Sequence, residues 1–483
     1  MRASQQFGER AWGAPRRLNA LDTFMWRCEQ DPRLRSGLVM LYLLDRPPDP
    51  QRFAAGHEWA TRMVPRLRER PVAPLLAPTV PVWTPDPRFD VAAHLRRAAL
   101  PRPAGRRELL DLAEDLAAAP FAPDRPPWQS VLVEDLCWEP EGYRAAWLLK
   151  FHHALGDGSL VASWLATLLG RGREPRADKP RPPAPALLLD SVAQRLVGPL
   201  AGEAGPAVRR IAGAALRTAR TPLRTTAEVG RATRTLIETT TRPVGRPSPL
   251  LRARGTTRRF EAVTADLNGL RSAARAVGVS TNAALCAGLL AGFRLYHDAH
   301  RVTASTLPFA MTVPGPGPVS ARDTGRPGGN RFSGVKLAGP LDERDPVALC
   351  RTVGRLLSSA AAPFSPAALD AVLACVNQLP TTLLTGLAAS LGHSYDLQVS
   401  HVVAPARGAY VSGARIELGY CFGPVPGCAV MALMVSQRGR GALALTVDTA
   451  AVPDPPVLTA CIESGFADVI GGCAAASQRG SSL

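Results

Sequence analysis

The run Tyr143–Phe151 reads as a strand: Trp147, Leu148, Leu149 and Phe151 are apolar or aromatic, and Lys150 places a charge between the last two. From Ser159 to Leu169 the period changes. Leu160, Val161, Trp164, Leu165 and Leu168 recur at helical intervals. Between the two lies Phe151-His152-His153-Ala154-Leu155-Gly156-Asp157-Gly158, a strand-to-helix corner in which Gly156 and Gly158 serve as turn residues. The chain before it predicts a helix over Leu21–Cys28, a strand over Leu38–Leu44, a helix over Phe53–Met63, proline-broken extended chain from Pro71 to Pro87, and a helix over Arg107–Ala119. A strand over Val131–Leu136 can pair with Tyr143–Phe151 around Glu139-Pro140-Glu141-Gly142.

The pattern divides the chain into three. Residues 1–170 form a first unit of alternating strands and helices. Residues 171–255 are Pro/Arg-rich at both ends, and apolar positions at helical spacing between Ala186 and Thr241 are interleaved with arginines. That middle segment reads as a basic amphipathic crossover, either solvated or lying on a lipid surface. Residues 256–483 form a second unit. Its predicted strands are Phe260–Leu267, Leu307–Val313, Phe332–Leu337, Leu397–Val403, Ala409–Leu418, Cys428–Ser436 and Ala442–Val447. Its predicted helices are Leu270–Val277, Asn282–His297 (capped by Ser280 or Thr281) and Asp345–Ala361. The fold class is α/β (α+β).

At 483 residues the chain exceeds one ordinary core, and the length allows about two to four domains. Its formal net charge is +17, almost all from arginine, since Lys150, Lys179 and Lys336 are the only lysines. Such a balance suits nucleic acid, anionic lipid or a phosphate-bearing carrier such as coenzyme A; a compositional bias toward Ala, Arg, Pro and Gly accounts for it equally well. The nine cysteines contain no C-x-x-C pair, so no zinc or redox framework is predicted. Cys286, Cys350 and Cys375 read as reduced core positions in a cytoplasmic chain. Neither Ala276–Phe293 nor Ala371–Tyr395, both uncharged, reads as a membrane span, and no signal peptide is visible at the N-terminus. Gly392-His393-Ser394-Tyr395-Asp396 lacks the second glycine of a nucleophile elbow, and no P-loop occurs. Aromatic residues do not interleave with the arginines as a nucleic-acid platform requires, so nucleic acid is the weaker partner class.

The chemistry gathers at the corner. Strand side chains alternate faces, so of His152 and His153 one faces a cleft and the other the interior. An imidazole there can take a proton from a hydroxyl or amine nucleophile. Asp157 can hold a neighbouring group by hydrogen bond or ion pair.

His-His-x-x-x-Asp-Gly resembles the signature of acyltransferases with a chloramphenicol-acetyltransferase-like fold. Within them the chain resembles the bacterial wax ester synthase/diacylglycerol acyltransferase family. Leu18-Asn19-Ala20-Leu21-Asp22-Thr23-Phe24, Pro120-Phe121-Ala122-Pro123-Asp124-Arg125-Pro126-Pro127-Trp128, Gly329-Asn330-Arg331-Phe332-Ser333 and Val452-Pro453-Asp454-Pro455 are similar to that family's segments and come in its order. The resemblance implies two such domains facing across a central channel, joined by the basic crossover. It implies transfer of a fatty acyl group from acyl-CoA to a long-chain alcohol or diacylglycerol, without an acyl-enzyme, a metal or a cofactor. It assigns the general base to His153, with His152, Asp157 and Gly158 shaping the corner, and a peripheral place on the inner membrane face or lipid droplets. Two of its segments are altered. The family's Asn-Asp pair is Asn282-Ala283 here, and its Ser-Asn-Val-Pro-Gly-Pro is Ser400-His401-Val402-Val403-Ala404-Pro405, so Asn282 and His401 are substrate-channel candidates. These changes keep open a condensation-type acyltransferase with a carrier-bound donor and an amine or other hydroxyl acceptor. A basic membrane- or nucleic-acid-binding protein is the non-enzymatic alternative.

Overall fold

The computed structural model describes residues 16–73, 80–156, 158–175, 244–314, 332–360, 372–404 and 408–481. Asp157, the crossover expected over 186–241 and Gly329-Asn330-Arg331 lie outside the described residues.

The first unit opens with strand β1 (Arg16–Arg17) and helix α1 (Ala20–Cys28). Asn19 caps α1, its Oδ1 accepting the Asp22 N–H at 2.6 Å. Strand β2 (Gly37–Leu44) and helix α2 (Pro50–Met63) follow, the latter with Asp49 as cap and proline at its first position. Then come the short strands β3 (Glu69–Val72), β4 (Val82–Pro85) and β5 (Leu95–Ala98). Helix α3 (Arg106–Ala118), strands β6 (Trp128–Val133) and β7 (Ala145–His152) and helix α4 (Gly158–Leu168) complete the unit.

The second unit begins with β8 (Arg258–Asp266), α5 (Leu267–Ala276) and α6 (Thr281–Ala299), the last capped by Ser280. It continues through β9 (Thr306–Pro314), β10 (Phe332–Pro340), α7 (Pro346–Ser359), α8 (Thr381–Gly392) and β11 (Leu397–Val403). After β12 (Tyr410–Val411) and β13 (Ala414–Phe422) come the hairpin β14 (Val430–Gln437) and β15 (Arg440–Asp448), and finally the long helix α9 (Pro455–Ser481).

Two mixed six-stranded sheets result, ordered β12-β13-β2-β7-β6-β5 and β10-β9-β11-β14-β15-β8, beside a small sheet β1-β4-β3. The expected second unit is therefore not self-contained: residues 410–422 cross into the first sheet, where β13 pairs antiparallel with β2. The physical reason is burial on both faces. Ile416 and Cys421 join the core under α2 and α4, whereas Leu418, Tyr420 and Phe422 face the second unit. Pairing between β6 and β7 is antiparallel, as the hairpin reading expects.

The units are joined where β8 meets α3 and β13. Phe260 stacks on Phe422 with centroids 4.2 Å apart, and the Thr264 and Tyr420 hydroxyls stand 2.8 Å apart. Arg107 donates to the Phe260 carbonyl at 2.9 Å and pairs with Asp111 and Glu114, while Arg259 reaches Asp111 at 2.9 Å. Charge thus fastens the seam at its rim and aromatic packing at its centre.

All nine cysteines are free. Cys286 and Cys350 are buried as expected, but Cys375 is exposed, because it lies on the outward side of a short helical turn rather than against the core. Burial pushes the thiols of Cys28, Cys286, Cys350, Cys421 and Cys428 up to about 12. Unfolded thiols ionise near 9, so this stability is present below pH 9 and is lost as pH climbs toward 12. Lys150 and Lys336, pushed down by burial to about 8, act in the opposite sense between pH 8 and 10.5, but they are two groups against five. Denaturation midpoints measured under reducing conditions are expected to fall steadily above pH 9; a flat profile to pH 11 would contradict this burial pattern.

Candidate active site

β7 is a central strand, flanked by β2 and β6, and every residue in it is buried. Trp147, Leu149 and Phe151 pack under α2 and α4, while Ala146 and Leu148 share the core that α3 and the inter-unit seam cover. Lys150 and His152 follow on the Ala146–Leu148 side by alternation, so two polar side chains end a fully buried row. The chain then makes a single tight turn, His153–Leu155, before α4.

His152 is wholly buried. Its Nδ1 accepts the Ala154 N–H at 3.0 Å, so the ring proton sits on Nε2. That nitrogen faces Glu29 Oε2 at 3.2 Å, in a contact bent off the N–H axis. The ring is boxed edge-on by Trp26 and Phe121, with centroids 5.0 and 5.7 Å away. Glu29 also accepts the Ser36 N–H at 3.0 Å. Burial pushes the Glu29 carboxyl up, but the His152 N–H, the Ser36 N–H and the Lys150 charge pull harder, and it lies below the ordinary glutamate range. Lys150 donates to the Ala119 carbonyl and lies over the Phe121 ring at 4.3 Å; desolvation lowers its ammonium to about 8.

His153 is only half-buried. Its backbone secures the turn: its N–H donates to the Ser36 carbonyl at 2.9 Å, and its carbonyl accepts the Gly156 N–H at 3.3 Å. β7 ends at His152 and His153 already stands in the turn, so the contrast between one wholly buried ring and one half-buried ring comes from the corner and not from strand alternation. Gly158 begins α4. Two segments quoted above for their resemblance close on this corner. The helix opened by Asn19 brings Trp26 to His152. The 120–128 stretch brings Phe121 to the ring, and its Pro127 carbonyl accepts the His152 N–H at 3.0 Å.

The two channel candidates meet each other. His401 Nδ1 donates to Asn282 Oδ1 at 2.6 Å, and its Nε2 accepts the Ser436 hydroxyl, also at 2.6 Å. Burial, with the Arg271 charge, pushes this imidazole below its ordinary range, which matches a neutral ring used once as donor and once as acceptor. Ala283, in place of the family's acid, is fully buried in the second unit's core. Ala404 donates its N–H to the Ser436 carbonyl at 3.0 Å. A cavity of about 1140 Å³ adjoins this pair; Asn282, Val279, Met311 and Val335 line it, with Arg351 and Arg355 from α7. Neither histidine of the corner lines it.

Sequence reading missed Glu29, Trp26 and Ser436. Glu29 follows a helix end, where an acidic residue looks like ordinary solvated charge. Only the tertiary contact with β7 gives it meaning.

Fold and corner together define a chloramphenicol-acetyltransferase-like acyltransferase architecture. Over 95% of this chain and the whole of the other, it superposes on the wax ester synthase/diacylglycerol acyltransferase of Marinobacter aquaeolei VT8 with a TM-score of 0.64 at 19% identity. The first condensation domain of the CDA synthetase matches with a TM-score of 0.55 over 96% of this chain and 97% of that one, at 17% identity. The sequence profile of the wax ester synthase/diacylglycerol acyltransferase catalytic domain matches residues 18–285, and that of the WS/DGAT C-terminal domain residues 328–469. A protein of Mycobacterium tuberculosis strain H37Rv, provisionally named a diacylglycerol O-acyltransferase, is 35% identical over 460 residues, covering 94% of this chain and 91% of that one. The chain belongs to the wax ester synthase/diacylglycerol acyltransferase family and is an acyltransferase.

Proposed function

We propose that the chain moves a fatty acyl group from acyl-CoA to the hydroxyl of a long-chain alcohol or diacylglycerol, with His153 as general base. The observation that carries this reading is the inequality of the histidine pair. His152 has its one lone pair engaged and its ring sealed, whereas His153 is half-exposed on a turn whose backbone is independently fixed. In the proposed step, a ring nitrogen of His153 takes the hydroxyl proton as the oxygen attacks the thioester carbonyl carbon. The tetrahedral adduct collapses with cleavage of the C–S bond, and the imidazolium returns its proton to the departing thiolate. Coenzyme A and an ester leave; no acyl-enzyme forms, and acyl-CoA is a substrate rather than a cofactor.

We further propose a peripheral site of work, on the inner face of the membrane or on lipid droplets. In support, Leu383, Val402 and Val403 are 61, 49 and 69% exposed. A cytoplasmic setting accords with nine free cysteines.

The test is ester formation by purified protein given a long-chain acyl-CoA with hexadecanol or diacylglycerol. Ester should form with release of one coenzyme A per ester. Transfer confined to a carrier-protein thioester and an amine would replace this reading with a condensation-type enzyme. Salt-sensitive binding to DNA or anionic vesicles without any transfer would replace it with a binding protein.

A further inference from the structure

We propose that Glu29 is a positioning residue for the acyl transfer, acting on His153 through the buried ring of His152. The inference rests on the reading of His153 as the base. The sequence of contacts is short. Glu29 Oε2 faces His152 Nε2 at 3.2 Å and also accepts the Ser36 N–H at 3.0 Å. His152 Nδ1 accepts the Ala154 N–H at 3.0 Å, and the Ser36 carbonyl accepts the His153 N–H at 2.9 Å. One carboxylate therefore grips the turn from both sides: through the His152 ring to Ala154, and through Ser36 to His153.

The tautomer gives the carboxylate its function. A neutral imidazole has one N–H and one lone pair. For Nδ1 to accept from Ala154, the proton must reside on Nε2, and there the ring is fully buried between Trp26 and Phe121. A buried N–H without an acceptor is costly, and the alternative tautomer would set two N–H groups against each other at Ala154. Glu29 removes that choice. Its half-buried carboxylate, 3.2 Å from Nε2 though off the N–H axis, attracts the proton to that nitrogen electrostatically and so keeps the lone pair on the turn. Holding the next residue's ring in a fixed place then matters for catalysis in the way positioning generally does, because small displacements of a base are amplified in rate.

The experiment compares Glu29→Ala, Glu29→Gln and His153→Ala, with the double variant Glu29→Ala/His153→Ala, using long-chain acyl-CoA and alcohol. Glu29→Ala is expected to lower kcat about 10–100-fold, with KM for acyl-CoA little changed. Glu29→Gln, which keeps a carbonyl oxygen facing Nε2–H, should recover most of the loss. In the His153→Ala background the second substitution should have no further effect, since the base it positions is gone. Glu29→Ala at wild-type kcat, or an undiminished further loss in the double variant, overturns the inference while leaving His153 as base. A fully active His153→Ala removes the underlying reading instead. Should Glu29→Ala not fold, ¹⁵N-histidine spectra decide: wild type must show an Nε2-protonated ring that disappears in His152→Gln, and an Nδ1-protonated ring in its place overturns the proposal.

Discussion

His153→Ala is expected to reduce the turnover of acyl-CoA and alcohol by ~10²–10⁴-fold, the contribution of a well-placed general base. The loss should fall on kcat more than on the KM for acyl-CoA, since the ring is assigned to proton transfer and not to gripping the donor. Activity should not reach zero, because holding two substrates together lowers the barrier without any base. Stability is expected to change little. The His153 backbone N–H and carbonyl, bonded to Ser36 and Gly156, hold the turn and are kept in the variant, and the ring is only half-buried. This separates the variant from changes at His152, whose ring is fully buried beside Trp26, Phe121 and Glu29 and whose loss would disturb the corner as a whole. Full turnover by a folded His153→Ala protein would end the assignment. The measurement is initial rates of ester formation on protein whose unfolding midpoint has been matched to wild type.

What the sequence made legible follows from how local each feature is. The strand β7 and the helix α4 were readable because Trp147, Leu149 and Phe151 alternate and Leu160, Trp164 and Leu168 keep a helical period. The alternation argument did not carry the histidine pair, because β7 stops at His152 and His153 lies in the turn; the burial of His152 depends on α1 and the 120–128 stretch closing over it. The placement of β13 was illegible for a related reason. Leu418 to Phe422 carries no charge on either face, a pattern that announces burial on two sides without naming the neighbouring strand. The turn before it was misread as strand, although Ser412-Gly413 carries the glycine it needs, with positive φ at both residues, 48° and 91°. Asn282 and His401 were named from resemblance alone. Their mutual hydrogen bond joins α6 to β11 across 119 residues of sequence, beyond the reach of any spacing argument.

The long final helix was not read from the sequence, and it carries the largest expected effect on stability. By length and composition Pro455–Ala476 could cross a membrane, with 39% of its apolar window buried within the fold. Its packing against α6 argues that it is a core helix. A Cβ at Gly465 would lie 2.3 Å from the Gly292 backbone nitrogen and 2.6 Å from the Gly288 carbonyl oxygen. A Cβ at Gly288 would strike Phe466 at 2.4 Å, and one at Gly292 would strike the Ile462 Cα at 2.5 Å. The two helices thus touch backbone to backbone, and an added methyl has no rotamer with which to escape. Helix propensity alone favours Gly465→Ala by up to ~1 kcal/mol. Overpacking of this kind typically costs 1–3 kcal/mol, and with backbone on the far side the upper end, about 3 kcal/mol, should win. Gly471→Ala in the same helix is the matched control, because a Cβ there meets nothing within 4 Å. It should show the bare propensity gain of ~0.5–1 kcal/mol. Denaturant midpoints for the two variants are therefore expected to move in opposite directions. Since α6 begins at Thr281 and presents Asn282 to His401, the Gly465 variant should also weaken the pairing at that end of the helix. Equal stability of the two variants would mean that the helices do not meet at Gly465, and the case for α9 as part of the folded core would fall with it.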